Sequence, residues 1–221
     1  METIFFDAGN TLCHVDMDAV ARIVGGDADA LRAAELRARR AFDEPAHFAA
    51  SNDDARWYAY FDLILREAGI ESPLGPLREH HDRHNLWTEL RADVVPALER
   101  LAAAGVRMSV VSNSDGTVER KLEHAGIRRF FDVVIDSHVV GVEKPDPRIF
   151  EIALERAGAR PRTTAHVGDL YHVDVAGARA AGLTPVLLDP ADLRPDAGVT
   201  RVRSLDDLVR LAVEGRRARS L

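Results

Sequence analysis

A series of short apolar runs, each ending at a small or acidic residue and followed by a helical pattern, constrains the fold of this chain more than any other feature. Thr3-Ile4-Phe5-Phe6 runs into Asp7, and Val106-Arg107-Met108-Ser109-Val110-Val111 runs into Ser112-Asn113. Phe131-Asp132-Val133-Val134-Ile135 leads to Asp136, Thr164-Ala165-His166-Val167 to Gly168-Asp169, and Pro185-Val186-Leu187-Leu188 to Asp189. Runs of this kind read as strands buried on both faces, the pattern of a parallel sheet. Helix signals fill the gaps. Asp115 is placed to cap a helix that closes at Gly126, and Asp146-Pro147 supplies an N-cap and a first-turn proline for a helix ending at Gly158. Gly182 closes another helix from about His172, and Ser204 with Asp207 resembles a capping box. Strands alternating with helices predict a doubly wound, Rossmann-like α/β sheet.

Residues 15–87 break the alternation. Helical patterns fall at roughly 16–24, 28–41, 53–68 and 75–84, with breaks at Gly25-Gly26, Glu44-Pro45 and Ser72-Pro73-Leu74-Gly75, and there is no convincing strand. The stretch 15–87 reads as a helical lobe inserted after the first strand of a core built from residues 1–14 and 88–221. A chain of 221 residues, 46% hydrophobic, is long enough for a core plus a small second lobe. The Arg-rich end, residues 216–221, is expected to be a frayed tail. A net charge of −7 argues against a nucleic-acid partner, which would want a basic face, and means that any phosphate must be held by local groups. The single cysteine, Cys13, excludes an internal disulfide and fits a reducing, cytoplasmic compartment. The N-terminal apolar run has no basic residues before it and falls far short of the about 18 residues a membrane span needs, so no membrane partner is expected.

In open parallel sheets, ligands bind outside the carboxyl ends of the strands. The polar residues there are Asp7, Ser112, Asn113, Asp169 and Asp174, with Lys144 in the loop after the third core strand. Only Lys121 and Lys144 are lysines among 29 basic residues, so a lysine at such a position is a rare event. Several carboxylates around one point repel one another unless a cation is present. All-oxygen ligation with few carboxylates suits Mg²⁺, which shares a substrate's phosphate oxygens. The lysine balances the remaining phosphate charge, and Ser112 with nearby backbone N–H groups holds the oxygens. An Asp in that setting is an acceptable nucleophile.

The pattern resembles the haloacid dehalogenase superfamily of hydrolases, in particular the phosphatase branch with a helical cap inserted after the first motif. The motifs stand here as Phe5-Phe6-Asp7-Ala8-Gly9-Asn10-Thr11-Leu12, Val110-Val111-Ser112-Asn113, Val142-Glu143-Lys144-Pro145-Asp146-Pro147, and Val167-Gly168-Asp169 followed by Asp174. The interval from Ser112 to Lys144 is too short for a cap, which leaves the interval between Asp7 and Ser112, where the helical lobe was found. The resemblance implies Asp7 as nucleophile and metal ligand, forming an aspartyl-phosphate. It implies Ser112 and Lys144 as phosphoryl-binding groups assisted by Asn113, the Gly9 carbonyl and Asp169 as Mg²⁺ ligands, and Asp174 as a ligand or an anchor behind the ligands. It further implies a small phosphorylated substrate, and carboxylates of Asp7 and Asp169 within about 8 Å of each other. One position departs from the family: Gly9 stands where the phosphatases carry an Asp that serves as general acid and base.

Other readings compete. An isolated Asp7 would read as a strand-ending turn residue, and Gly168-Asp169 as a helix cap. His80, His81 and His84 include an i, i+4 pair but lack a completing ligand, and read as a solvated helix face. Arg56, Trp57, Tyr58 and Tyr60 read as packing in the helical lobe, with Arg56 a candidate contact for an anionic substrate tail. Cys13-His14 has no third group to orient a nucleophilic pair. A dehalogenase needs no Mg²⁺, a phosphonate hydrolase of this superfamily needs a cap lysine that residues 15–87 lack, and a phosphomutase needs the missing acid. Outside enzymes, the alternative is a phosphate- or phosphoprotein-binding module that has lost turnover, which Gly9 favours.

Overall fold

The structure is a computed structural model in which residues 1–47, 53–195 and 197–217 are described. In chain order the strands are β1 (Thr3–Phe6), β2 (Cys13–Val15), β3 (Trp87–Leu90), β4 (Arg107–Ser112), β5 (Val134–Asp136), β6 (Thr164–Gly168), β7 (Thr184–Leu188) and β8 (Thr200–Val202). The helices are α1 (Met17–Val24), α2 (Ala28–Phe42), α3 (Asp53–Ala68), α4 (Gly75–His84), α5 (Val94–Ala103), α6 (Val118–His124), α7 (Ser137–Val140), α8 (Pro147–Ala157), α9 (Ala176–Ala180) and α10 (Leu205–Arg217). The chain divides into two compact units, residues 1–13 with 90–221, and residues 14–89. No helix of the described residues is long and apolar enough to cross a membrane.

The first unit is a six-stranded sheet of order β5-β4-β1-β6-β7-β8 with every pairing parallel. All four residues of β1 are buried, as a central strand requires. Ile149, Phe150, Ala153, Leu154 and Ala157 recur at helical spacing along α8 and pack with Phe5, Val111 and Ile135 of the sheet. Each large side chain buried this way contributes about 1.5–3 kcal/mol. Asp146 caps α8 by accepting the Arg148 N–H, Pro147 opens it, and Gly158 closes it in the left-handed conformation, as the sequence predicts.

The second unit holds α1 to α4. Asp27 caps α2 by accepting the Ala30 N–H, and Leu31, Ala34 and Ala38 form the buried stripe of that helix. Tyr60, Phe61 and Trp87 cluster with Trp57, and a buried Glu35 pairs with Arg39 and accepts the Tyr60 hydroxyl at 2.7 Å.

Local expectations differ from the structure in four places. Strands β2 and β3 pair with each other at the two ends of the helical stretch, where the sequence suggests none, because three or four residues are too few to show alternation. Strand β8 is missed for the same reason. Helix α6 starts at Val118 without a side-chain cap from Asp115, which instead accepts the Thr117 N–H inside the preceding turn. The donors at that helix start, Gly116 N–H and Val118 N–H, go to the carboxylate of Asp136 at the end of β5. Helix α10 runs to Arg217, and the remainder of the expected tail lies outside the described residues.

Candidate active site

Asp7 follows β1 directly, and its N–H donates to the Val167 carbonyl of β6 at 2.8 Å, extending the central pairing by one residue. From β1 the chain moves outward to β4 and β5, then returns to β6, β7 and β8 on the other side. At such a reversal, the loops beyond the strand ends diverge and leave a crevice. Ser112 ends β4, and Asp169 follows β6. Asp174 sits in a π-helical turn, Tyr171–Val175, that precedes α9. Turns of this type are frequent at functional sites.

The loop after β5 delivers Lys144 to the same place. Its N–H donates to Asn113 Oδ1 at 2.7 Å, while Asn113 Nδ2–H donates to the Lys144 carbonyl at 2.9 Å. Asn113 therefore clasps the lysine backbone with both ends of its amide. The Lys144 ammonium donates to Asp7 Oδ1 at 2.6 Å and to Asp174 Oδ1 at 2.7 Å. Ser112 is buried, and its hydroxyl makes only a long 3.4 Å contact to the Asn113 carbonyl among the described residues.

Two glycines make this convergence possible. A Cβ on Gly168 would lie 2.1 Å from Asp174 Cγ, so the carboxylate occupies the space a side chain would fill. A Cβ on Gly177 would lie 2.8 Å from Phe150 Cε2 and 3.0 Å from Pro145 Cα, so its absence lets the helix bearing it approach the lysine loop.

Burial sets the electrostatics. It raises Asp7 to about 6, with the Asp174 charge adding to it, against the pull of Lys144 and the Ala8 N–H. Burial also opposes the charge on Asp174, but Lys144 and His166 together hold that carboxyl well below the usual range. For Lys144, burial is outweighed by Asp174 and Asp7, which keep the ammonium above its ordinary value. His166, on β6, is lowered by burial despite the carboxylate beside it, so its imidazole is neutral at pH 7.

Asp7, Asp169 and Asp174 offer oxygens that all lie within 4.8 Å of one another, inside the expected 8 Å. Oxygens on opposite sides of one small cation at about 2.1 Å each are separated by about 4.2 Å, so small side-chain movements close the set. An all-oxygen, anionic donor set fits a hard divalent ion. Gly9 pairs with Cys13 in an isolated bridge made through the Asn10 N–H and the Ala8 carbonyl, which leaves the Gly9 carbonyl outside it.

The remaining candidates lie elsewhere in their units. His80 and His84 have ring centroids 4.9 Å apart, His81 packs against Trp57 and Trp87, and these histidines form no metal-type cluster among the described residues. Trp57, Tyr60 and Arg56 are buried and Tyr58 is exposed. Cys13 is buried, which pushes its thiol up to about 11 against the pull of Lys121, and a thiol in that state is a poor nucleophile.

A family model described as haloacid dehalogenase-like hydrolase matches residues 1–182. The chain belongs to this family. Among its relatives in the family is a glyceraldehyde 3-phosphate phosphatase of Methanopyrus kandleri, 32% identical over 68% of this chain and 71% of that protein. A phosphoserine phosphatase of Thermus thermophilus is 38% identical over 64% of this chain and 59% of its own length. Haloacid dehalogenase-like hydrolase domain-containing protein 3 of Bos taurus is 46% identical, but over 39% of this chain and 37% of that protein. The chain thus matches well under two thirds of the length of some of these relatives. Among solved haloacid dehalogenase-like structures, a dehalogenase captured with an intermediate superposes with a TM-score of 0.71 at 24% identity, covering 96% of each chain. YfnB of Bacillus subtilis superposes at 0.70 with 21% identity over 95% of this chain and 97% of its own. At that identity the likeness speaks for the fold: a parallel sheet with flanking helices.

Asp7, Asn113, Lys144, Asp169 and Asp174, all singled out from sequence, lie together here. What sequence reasoning missed are the supports: His166, Gly168 as a cradle, Gly177 and Asp136. A histidine inside the otherwise apolar run Thr164-Ala165-His166-Val167 was the available signal for the first of these.

Proposed function

We propose that this hydrolase is a Mg²⁺-dependent phosphatase that acts on a small phosphorylated metabolite through the carboxylate of Asp7. The observation that carries the reading is the buried Asp7 held 2.6 Å from the Lys144 ammonium within a three-carboxylate cluster. The activities for which the phosphatase relatives are named support the substrate class, and the burial of Asp7 suits attack by an anion that water would otherwise blunt.

In this mechanism, an Asp7 oxygen attacks phosphorus in line, forming an O–P bond as the ester O–P bond breaks and the alkoxide or phenoxide leaves, to take its proton from water. Water then attacks the phosphorus of the aspartyl-phosphate, releasing phosphate and restoring the carboxylate. Lys144 and Ser112 bind the phosphoryl oxygens, and Asn113 keeps the lysine loop in place. Asp7, Asp169 and the Gly9 carbonyl would hold Mg²⁺, which when bound neutralises charge on the transferring group. Asp174 anchors Lys144.

Hydrolysis of p-nitrophenyl phosphate tests the reading. Turnover should require Mg²⁺ and be lost in Asp7→Asn, and Lys144→Ala should lose most of it, since electrostatic stabilisation is often the largest catalytic contribution. Undiminished turnover by Asp7→Asn or in excess chelator would sink the mechanism. Gly9 favours a second reading, a phosphate-binding protein without turnover. A wild type that binds phosphate with Mg²⁺ but hydrolyses neither aryl nor alkyl phosphates would establish it.

A further inference from the structure

His166 is buried, titratable and unused by the chemistry above. It lies in the central part of β6, opposite Phe5 and Pro185 in register, with its ring edge-on to Phe150 at 4.8 Å. Its Nε2 lies 2.8 Å from Asp174 Oδ1, the same oxygen that accepts the Lys144 ammonium at 2.7 Å. The other oxygen, Oδ2, accepts the Leu170 N–H at 3.0 Å. An ionised carboxylate only accepts, so the neutral ring carries its proton on Nε2 and donates it to Asp174.

We infer that His166 is a positioning residue: by donating to Asp174 Oδ1 it fixes the carboxylate that holds Lys144 against Asp7. The consequence for catalysis rests on the phosphatase reading, whereas the positioning does not. A carboxylate oxygen takes about two donors, and here one is the lysine and the other the imidazole. With three donors on its two oxygens and the Gly168 backbone as a wall, Asp174 has one orientation. Lys144 then spends two of its three N–H groups, one on Asp7 and one on Asp174, and keeps the third for a substrate oxygen. Without the imidazole donor, Oδ1 has only the ammonium to satisfy it, and the lysine is drawn toward Asp174 and away from Asp7. A histidine that merely filled space beside Phe150 would be replaceable by any side chain of like volume.

The test compares His166→Gln, whose Nε2 reaches the position of the imidazole Nε2, with His166→Leu, which has similar bulk and no donor. The chain contains two lysines, so lysine-selective ¹³C,¹⁵N labelling of this chain yields two side-chain signals, assigned with Lys121→Arg. In His166→Leu the Lys144 signal should move while the Lys121 signal stays, and His166→Gln should keep both near wild type. On p-nitrophenyl phosphate, kcat of His166→Leu should fall roughly 10–100-fold with KM little changed, as for other residues that orient first-contact groups, and His166→Gln should recover most of it. If His166→Leu does not fold, His166→Met replaces it, being similar in volume and more adaptable. An unmoved Lys144 signal in the donor-free variant, or a His166→Gln variant no better than it at equal melting temperature, overturns the inference. A wild type without turnover whose Lys144 signal still answers to His166 would overturn the phosphatase reading and leave the positioning intact.

Discussion

Asp7 is pulled two ways, by burial toward the protonated form and by Lys144 toward the anion, and burial prevails in the absence of metal. Between its ordinary value of 3.8 and the raised value of about 6, the folded state binds more protons than the unfolded one, so ionising Asp7 costs stability as pH rises through that window. Asp174 has the opposite sign: its stabilisation is present above its unfolded value and is lost on acidification. Metal-free Asp7→Asn should therefore melt on the order of 2–4 °C above wild type near pH 7.5, with the gap shrinking near pH 5. Thermal melts in chelator at both pH values check this, and an equal gap at both would contradict it. Gly9 governs a second prediction at this scale. With no acid there to protonate the leaving group, a contribution of about 10²–10⁴-fold is missing, and aryl or acyl phosphates should be hydrolysed faster than alkyl ones. Gly9 is not among the glycines in the left-handed region, so its φ is no bar to an Asp. Gly9→Asp should raise kcat/KM for alkyl phosphates more than for aryl ones, and a flat dependence on leaving-group pKa in the wild type would show that another residue already serves.

At the level of elements, the site is assembled by close approaches that sequence patterns do not display. Gly168→Ala sets a methyl group where Asp174 now sits. The carboxylate must turn away, and kcat should fall roughly 10–100-fold. The stability cost should stay within about 1–3 kcal/mol, the range for an overpacked methyl, as kinetics and denaturant unfolding together would report. The loop after β4 depends on Asp136, whose carboxylate accepts N–H groups from Gly116, Val118 and His138. Asp136→Ala strands those donors and should cost about 1–2 kcal/mol, comparable to losing a helix cap. Sequence reasoning named Asp115 for that task because it is local, whereas the cap comes from a neighbouring strand end brought there by β4–β5 pairing. The main strands were legible because each is long and apolar enough to exclude other readings. β2, β3 and β8 were not, since strands this short take their form from their partners. His166 was visible as an oddity in a buried strand, but its meaning depends on a hydrogen bond to Asp174, eight residues on and in another element.

For the molecule as a whole, the net charge of −7 opposes the approach of a phosphate dianion, while attraction comes from one buried ammonium and whatever cation the carboxylates hold. Added salt screens the distant repulsion first, because the Debye length shortens to about 8 Å near 0.15 M, and leaves buried contacts nearly untouched. kcat/KM for a phosphate ester at saturating Mg²⁺ should hence hold steady or rise as ionic strength increases toward 0.15 M. A steep fall would point to a positive field at the site entrance. The order of the motifs along the chain was enough to bring Asp7, Ser112, Lys144, Asp169 and Asp174 to neighbouring strand ends, since a parallel sheet collects its carboxyl ends on one edge. The scarcity and burial of lysine have a practical outcome of another kind. Lys144 is 2% exposed, whereas the side chain of Lys121 reaches solvent, so an amine-acylating reagent meets Lys121 readily and meets Lys144 only when the loop that carries it opens. The rate at which that second lysine takes up the label is a built-in clock for opening of the site, read by mass from a single tryptic fragment.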